Sequence, residues 1–218
     1  MSNSPDPTRR SNASRQAILD AAAELIAEVG FRRLTIEAIA VRAGVGKQTI
    51  YRWWPSKGAV VFDALLALQH DADGLRIPES GDLGVDLRLL LRETAAGLVD
   101  PHLEEPYRAV LTEIQHDPVL VEELRERLLG PLLSATRDWI RRAQDRCQIN
   151  AATDPAVVVD VLYGPLFYRW LLRTGPLDED YLQALTAAVL PVITASSGPN
   201  PLRASVEGSP PVVAGIED

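Results

Sequence analysis

The sequence predicts an all-α protein: an N-terminal three-helix unit containing a helix-turn-helix, joined to a larger helical domain, with about nine to ten helices in all. Three observations predict it. Apolar residues recur at 3.6-residue spacing along most of the chain. Proline and glycine punctuate these runs at Pro101, Pro118, Gly130-Pro131, Pro155 and Gly175-Pro176. No stretch shows sustained period-two alternation with β-branched enrichment, so no sheet is expected. A hydrophobic content of 46% and a charged content of 24% are those of an ordinary globular chain, and 218 residues suffice for a sizeable core.

Residues 1–13 carry two prolines and no periodicity, and read as a flexible arm. A helix is expected from about Ser14, capped by Ser11 or Ser14, with Ile18, Leu19, Ala22, Leu25, Ile26 and Val29 on one face. Gly30 ends it, and Phe31 to Leu34 form a short link. Thr35 is a good N-cap for a second short helix with Ile36, Ile39 and Ala40 inside. Gly44 suits a turn that needs positive φ. A third helix runs from about Gly46 to Trp53, until Pro55 disfavours helical geometry in the residue before it. Its Ile50 and Trp54, at i and i+4, can face the core. Ser56 then caps a fourth helix carrying Val60, Val61, Phe62, Leu65 and Leu66. Six more helical segments are expected near 82–99, 103–116, 118–129, 131–147, 155–174 and 178–194. The stretch 195–218 holds four prolines and few apolar residues, and reads as a disordered tail. The domains are therefore the arm at 1–13, the helix-turn-helix unit at 14–57, the helical body at 58–194 and the tail at 195–218.

Charge is divided unevenly. The chain carries −8 overall, yet residues 1–60 carry +4 and the remainder −12. Both lysines, Lys47 and Lys57, lie in the basic part. A basic head on an acidic body can bind phosphate at one end and repel it at the other. The third helix leaves Lys47, Gln48, Thr49, Tyr51, Arg52 and Trp53 for its outer side, a face of long donors, hydroxyls and aromatic rings with no acid. A helix, a glycine turn and a second short helix place that second helix in the DNA major groove.

The segment ILDAAAELIAEVGFRRLTIEAIAVRAGVGKQTIYRWWPSKGAVVFDAL resembles the DNA-binding domain of the TetR family of regulators, without a gap from Ile18 to about Leu65. The resemblance rests on Thr35, Ile39 and Ala40 at the second helix, the Ala-Gly-Val turn, and the closing Tyr-x-x-Trp-Pro-Ser-Lys. It implies a sequence-specific DNA-binding transcriptional regulator, a dimeric repressor released from a palindromic operator by a small-molecule effector. A regulator without a small ligand, constitutive or partner-responsive, and an activator are the alternatives. The DNA contacts it implies are Thr35, Lys47, Gln48, Thr49, Tyr51, Arg52, Trp53 and Lys57. Gln48 would read a base edge such as adenine N6/N7, with Lys47 and Arg52 as further candidates. Thr35 at a helix N-terminus, Thr49, Tyr51, Trp53 and Lys57 would hold phosphates. Tyr51 and Trp53 also fit plain packing roles, and Arg52 a solvated charge. Gly46 stands where the family usually has serine, which removes one hydroxyl contact, and Trp53 where histidine is frequent.

The resemblance extends to the body, as an effector-binding and dimerisation domain. Residues that would line an effector pocket for a small hydrophobic or amphipathic molecule are Phe62, Leu66, His70, Tyr107, Leu111, Trp139, Tyr163 and Phe167. The same residues fit an ordinary core. The run DPAVVVDVLYGPLFYRWLLRTG is apolar on nearly all sides, as expected of a helix buried by its own core and by a partner. A homodimer through the last two long helices is therefore expected, with Leu162, Leu166, Arg169, Trp170, Tyr181, Leu185, Ala188 and Val189 at its interface.

Enzymatic chemistry is not expected, and no catalytic residue is named. His70, His102 and His116 are dispersed without metal-ligand spacing, so no metal and no cofactor are expected. No Gly-x-Ser-x-Gly elbow occurs, and Gly46-Lys47 lacks the upstream glycine of a phosphate loop. The single cysteine, Cys147, excludes an intramolecular disulfide; a free thiol is the plain reading, and Arg146 beside it would favour a thiolate were it redox-active. The polar N-terminus has no signal-peptide character and no apolar run reaches membrane-spanning length, so no membrane association and a cytoplasmic location are expected.

Overall fold

The computed structural model describes residues 7–70 and 77–194, with side chains for 11–69 and 77–194. These residues fold into ten α-helices and no strand. The head comprises α1 (Pro7–Val29), α2 (Ile36–Ala43) and α3 (Lys47–Trp53), followed by α4 (Lys57–His70). The body adds α5 (Leu83–Val99), α6 (Glu104–Glu113), α7 (Pro118–Leu124), α8 (Gly130–Asp145), α9 (Pro155–Leu172) and α10 (Glu179–Thr194).

Capping chemistry sets most of the boundaries. The hydroxyl of Thr35 accepts from the Ala38 N–H at 3.1 Å and starts α2. The carboxylates of Asp82, Asp117 and Asp154 do the same for α5, α7 and α9. Ser56 Oγ accepts from the Ala59 N–H at 3.2 Å. Gly44 closes α2 at φ 67, a left-handed conformation where a Cβ would be strained.

Two expected boundaries are corrected. Helix α1 starts at Pro7, not near Ser14, so residues 7–13 extend the helix rather than form an arm. Proline is tolerated in a first turn, where its missing N–H has no partner to lose. Residues 1–6 and the expected tail at 195–218 lie outside the described residues. The second correction is at Gly130-Pro131, expected to break a helix. There the chain passes from α7 into α8 through a π-helical turn, Arg125–Leu129. The N–H of Gly130 reaches back five residues to the Arg125 carbonyl, and Pro131 then falls in the first turn of α8, where it is accommodated.

In the head, α1 packs on α2 and α4. Ile18, Ala22 and Ile26 of α1, Ile39 of α2 and Ile50 of α3 belong to one core, all essentially fully buried. Helix α4 is the spine of the molecule. It packs on α1 on the head side and on α6 and α7 on the body side. This explains why Val60, Val61, Phe62, Ala64 and Leu65 are all buried and α4 has no polar face. In the body, α5 packs on α9 and α10, and α8 packs on α9.

Helix α9 departs from expectation in which face it hides. Leu162, Leu166 and Trp170, with Val189 of α10, are 0–4% exposed and belong to the protomer's own core. Buried by their own chain, these four, expected from the sequence at a dimer interface, have almost no surface left to offer a partner. The exposed apolar residues of α9 are instead Val157, Tyr168, Leu171 and Leu172. A helix apolar all round does not declare which side meets its own chain. Of the other expected interface residues, Arg169, Tyr181 and Leu185 are half-buried and Ala188 is exposed. Arg169 lies 3.9 Å over the Tyr181 ring and bonds the Pro176 carbonyl at 2.8 Å.

Candidate nucleic-acid interface

The α2–turn–α3 segment presents a short exposed helix on a rigid base. Helix α3 has seven residues, of which Ile50 is fully buried, and Trp54 just past its end is 4% exposed. These two anchors, one turn apart, turn Lys47, Gln48, Tyr51 and Arg52 to solvent, as the i, i+4 spacing predicts. Thr49 and Trp53 are half-buried at the flanks. Trp53 stands edge-on to Trp54 at 5.5 Å between centroids, and the Arg52 guanidinium lies 5.0 Å over the Trp53 ring. Trp53 thus both packs and remains accessible, and Arg52 is steered by it.

Thr35 is exposed at the start of α2. Its oxygen accepts from the Ala38 N–H, which leaves its own O–H available as a donor. Lys47 is held in an exposed ion pair with Glu37 of α2, 2.9 Å apart. The hydrogen bond and charge of Glu37 raise the Lys47 ammonium above its ordinary value, and Lys47 lowers the Glu37 carboxyl in return. Sequence reasoning missed Glu37. Its position in the first turn of α2, about two turns before the Gly44 turn, was the available signal.

Lys57 behaves differently from expectation in one respect. Its ammonium donates to the carbonyls of Phe31 (2.9 Å) and Leu34 (3.1 Å) and sits 4.0 Å over the Phe31 ring. Two of its three donors therefore stitch α4 to the α1–α2 link, and one is left for an outside partner.

The residues expected to line an effector pocket are dispersed through the body. Phe62, Leu66, Tyr107, Trp139 and Tyr163 are buried, and Leu111 and Phe167 half-buried. His70 closes α4, and its side chain lies outside the described residues. Tyr107 and Phe167 are brought together with Trp170 in an aromatic cluster, with centroids 5.7 to 6.2 Å apart. Burial raises the Tyr107 hydroxyl to about 12. Tyr163 shares a 2.7 Å hydrogen bond with Thr136 in the core; burial raises it too, and Thr136 partly offsets this. Two surface clefts, one of about 260 Å³ between α1 and α4 and one of about 790 Å³ where the α1–α2 link meets α6, take in none of these eight residues.

The family profile described as bacterial regulatory proteins, tetR family, matches residues 18–64, the whole of this head beyond the first turns of α1. A second profile, the tetracyclin repressor-like C-terminal domain, matches residues 77–189. The chain belongs to the TetR family of transcriptional regulators. The HTH-type transcriptional regulator YdeS of Bacillus subtilis (strain 168) is 31% identical over 192 residues, which cover 86% of this chain and 93% of YdeS. The DNA-binding transcriptional repressor TetR of Mycobacteroides abscessus is 30% identical over 188 residues, 84% and 95% of the two chains. Among solved structures, the TetR family transcription regulator SCO0332 superposes with a TM-score of 0.64 at 30% identity, covering 81% of this chain and 96% of that one. As in other TetR-family regulators, the helix-turn-helix is the DNA-binding part and the helical C-terminal domain follows it. No described helix is long and apolar enough to cross a membrane, and no group of metal-ligating side chains occurs among the described residues.

Proposed function

We propose that the protein is a dimeric, non-enzymatic repressor that leaves a palindromic operator when a small molecule binds its body. The observation that carries the DNA-reading part is the solvent face of α3, where Lys47, Gln48, Tyr51 and Arg52 stand free of the core on the Ile50–Trp54 base. Gln48 reads a base edge, with Lys47 and Arg52 beside it. Thr35, Thr49, Tyr51, Trp53 and the remaining donor of Lys57 hold phosphates. Hydrogen bonds to phosphate set the register and base-edge contacts set the sequence.

One reading helix covers a few base pairs, so a two-fold dimer on a palindrome is required for useful specificity. The exposed apolar stripe Val157, Gly164, Tyr168 and Leu172 of α9, beside Ala188 and Val192 of α10, supports pairing of these helices with their mates. It replaces the buried residues first expected there. The effector reading is supported by Trp170, whose buried indole N–H has no hydrogen-bond acceptor among the described residues and sits in the Tyr107–Phe167 cluster. An unpaired buried donor of this kind suits a flat, largely apolar ligand with one acceptor. Ligand must favour the DNA-free state, or it shifts nothing.

Genome-wide mapping of bound sites, followed by gel shift with the mapped duplexes, tests the proposal. The expected result is a two-fold symmetric motif bound by a dimer and released by a compound of the adjacent genes' chemistry. Binding without sequence preference, or a monomer at concentrations that saturate the duplex, refutes it.

A further inference from the structure

We propose that Asp63 is a positioning residue for DNA recognition: it locks the reading helix through the Trp54 indole, and Arg127 ties that lock to the body. The proposal rests on the DNA-reading role given to α3 above. Asp63 sits in the middle of α4 within the otherwise apolar run Val60–Leu66, and is 8% exposed. An isolated carboxylate at such a position is strongly unfavourable, so its partners account for its presence.

Those partners come from three different places. The Trp54 indole N–H, just past the end of α3, donates to Asp63 Oδ2 at 2.9 Å. Arg15 of α1 donates to the same oxygen at 2.5 Å and its guanidinium lies 5.5 Å from the Trp54 ring centre. Arg127, on the π-helical turn between α7 and α8, places a guanidinium nitrogen 2.7 Å from Asp63 Oδ1, an ion pair without hydrogen-bond alignment, and rests 5.2 Å over the Phe62 ring. One buried carboxylate thus joins the head helix α1, the end of the reading helix and the π-helical turn of the body.

The leverage follows from the size of α3. Seven residues are roughly 10 Å of helix, and only Ile50 and Trp54 fix it to the core through buried side chains. A tilt of about 10° at the Trp54 end displaces Lys47 and Gln48 by roughly 2 Å, more than a bidentate base contact tolerates. The Trp54–Asp63 bond holds that end. Arg127 holds the carboxylate from the other side, and Arg127 moves with the α7–α8 junction. A π turn held open by one glycine, with an arginine reaching from it into the head, is where a rearranged body would release the grip.

The test uses full-length protein and the duplex that the wild-type chain selects from random sequence. Four proteins are compared with wild type: Asp63→Leu, Asp63→Asn, Arg127→Met and the Asn/Met double variant. Circular dichroism and melting verify the fold, anisotropy gives duplex affinity, and the Trp54 indole N–H resonance reports the lock without DNA. Asp63→Asn keeps an acceptor for Trp54 and for the exposed Arg15 guanidinium, and loses the charge that Arg127 and Arg15 pair with. The expected losses of affinity are about thirtyfold for Asp63→Leu and about threefold each for Asp63→Asn and Arg127→Met. The double variant should also lose only about threefold, not the roughly ninefold of independent effects. The Trp54 resonance should shift far in Asp63→Leu and little in Asp63→Asn. Folded Asp63→Leu with wild-type affinity overturns the proposal, as do multiplicative effects of Asp63→Asn and Arg127→Met. Should Asp63→Leu fail to fold, the other three proteins decide the matter alone. A wild-type chain that selects no duplex overturns the DNA-reading role itself, a result distinct from selection by wild type with no effect of the variants.

Discussion

Replacing Gly130 by alanine puts a methyl group 2.7 Å from the backbone carbonyl oxygen of Arg125. That carbonyl already accepts the Gly130 N–H across the π turn, so it cannot retreat without breaking the bond that shapes the turn. Two effects compete. An alanine in a helix is favoured over glycine by about 0.5–1 kcal/mol. Overpacking against fixed backbone costs about 1–3 kcal/mol. The clash wins, and Gly130→Ala should lose about 1–2 kcal/mol. Gly97, near the end of α5, is the matched control, because a methyl group there meets nothing within 4 Å. Gly97→Ala should gain about 0.5 kcal/mol by the propensity term alone. Converted for a chain of this size, the two variants should melt roughly 4–8 °C apart. Urea denaturation of both, with thermal melting as a second probe, measures the difference. If Gly130→Ala is as stable as Gly97→Ala, the π turn does not depend on the missing side chain and the steric reasoning fails.

Gln48→Ala should relax base preference at one position of each half-site, at a cost of ~1–3 kcal/mol there; an unchanged motif in a binding selection removes Gln48 from the specificity set. Lys57→Ala should weaken binding to all duplexes and reduce the log–log salt slope by about 1. Because its ammonium also bonds the Phe31 and Leu34 carbonyls, melting should fall too; a lower melting temperature with an unaltered salt slope assigns Lys57 to structure alone. Tyr168→Asp places a charge on the exposed α9 stripe and should convert the dimer to monomer without loss of helicity; an unaffected dimer in sedimentation rejects that face. Tyr107 is raised from 10.0 to about 12 by burial, so the folded state holds its proton more tightly. Its stabilising effect is complete below pH 10 and is lost as pH rises towards about 12. Tyr107→Phe should flatten the alkaline fall in stability over that window, and an identical profile would contradict the assignment.

How far the sequence could be read depended on the kind of signal. Caps are local, and Thr35, Gly44 and Ser56 do what their side chains or φ angles suggest. The face of α3 was legible because Ile50 and Trp54 are large and apolar at helical spacing. Gly130-Pro131 misled because glycine and proline usually stop a helix, whereas here each answers one demand of a widened turn. The burial of Leu162, Leu166 and Trp170 in their own core was not legible because α9 is apolar all round, and periodicity cannot separate a side buried by its own chain from one left for another. Arg127 was out of reach, since only the folded chain brings it to a residue sixty-four positions earlier. Asp63 was legible in principle: an acid inside Val-Val-Phe-Asp-Ala-Leu-Leu asks for a buried partner.

The Lys47–Glu37 pair has a consequence for how this protein searches DNA. A lysine free in solution sheds nothing of its own when it meets a phosphate, while the duplex releases a counterion. A lysine already holding a carboxylate must trade one anion for another, and the abandoned Glu37 then faces the duplex as a repelled charge. With Lys47 and Gln48 contacting DNA as proposed, Glu37 would compete with every phosphate on any sequence, and only a site that also seats Gln48 would repay the exchange. Non-specific sliding would be loosened more than operator binding, so the acid beside the reading helix would raise the contrast between right and wrong DNA without touching a base.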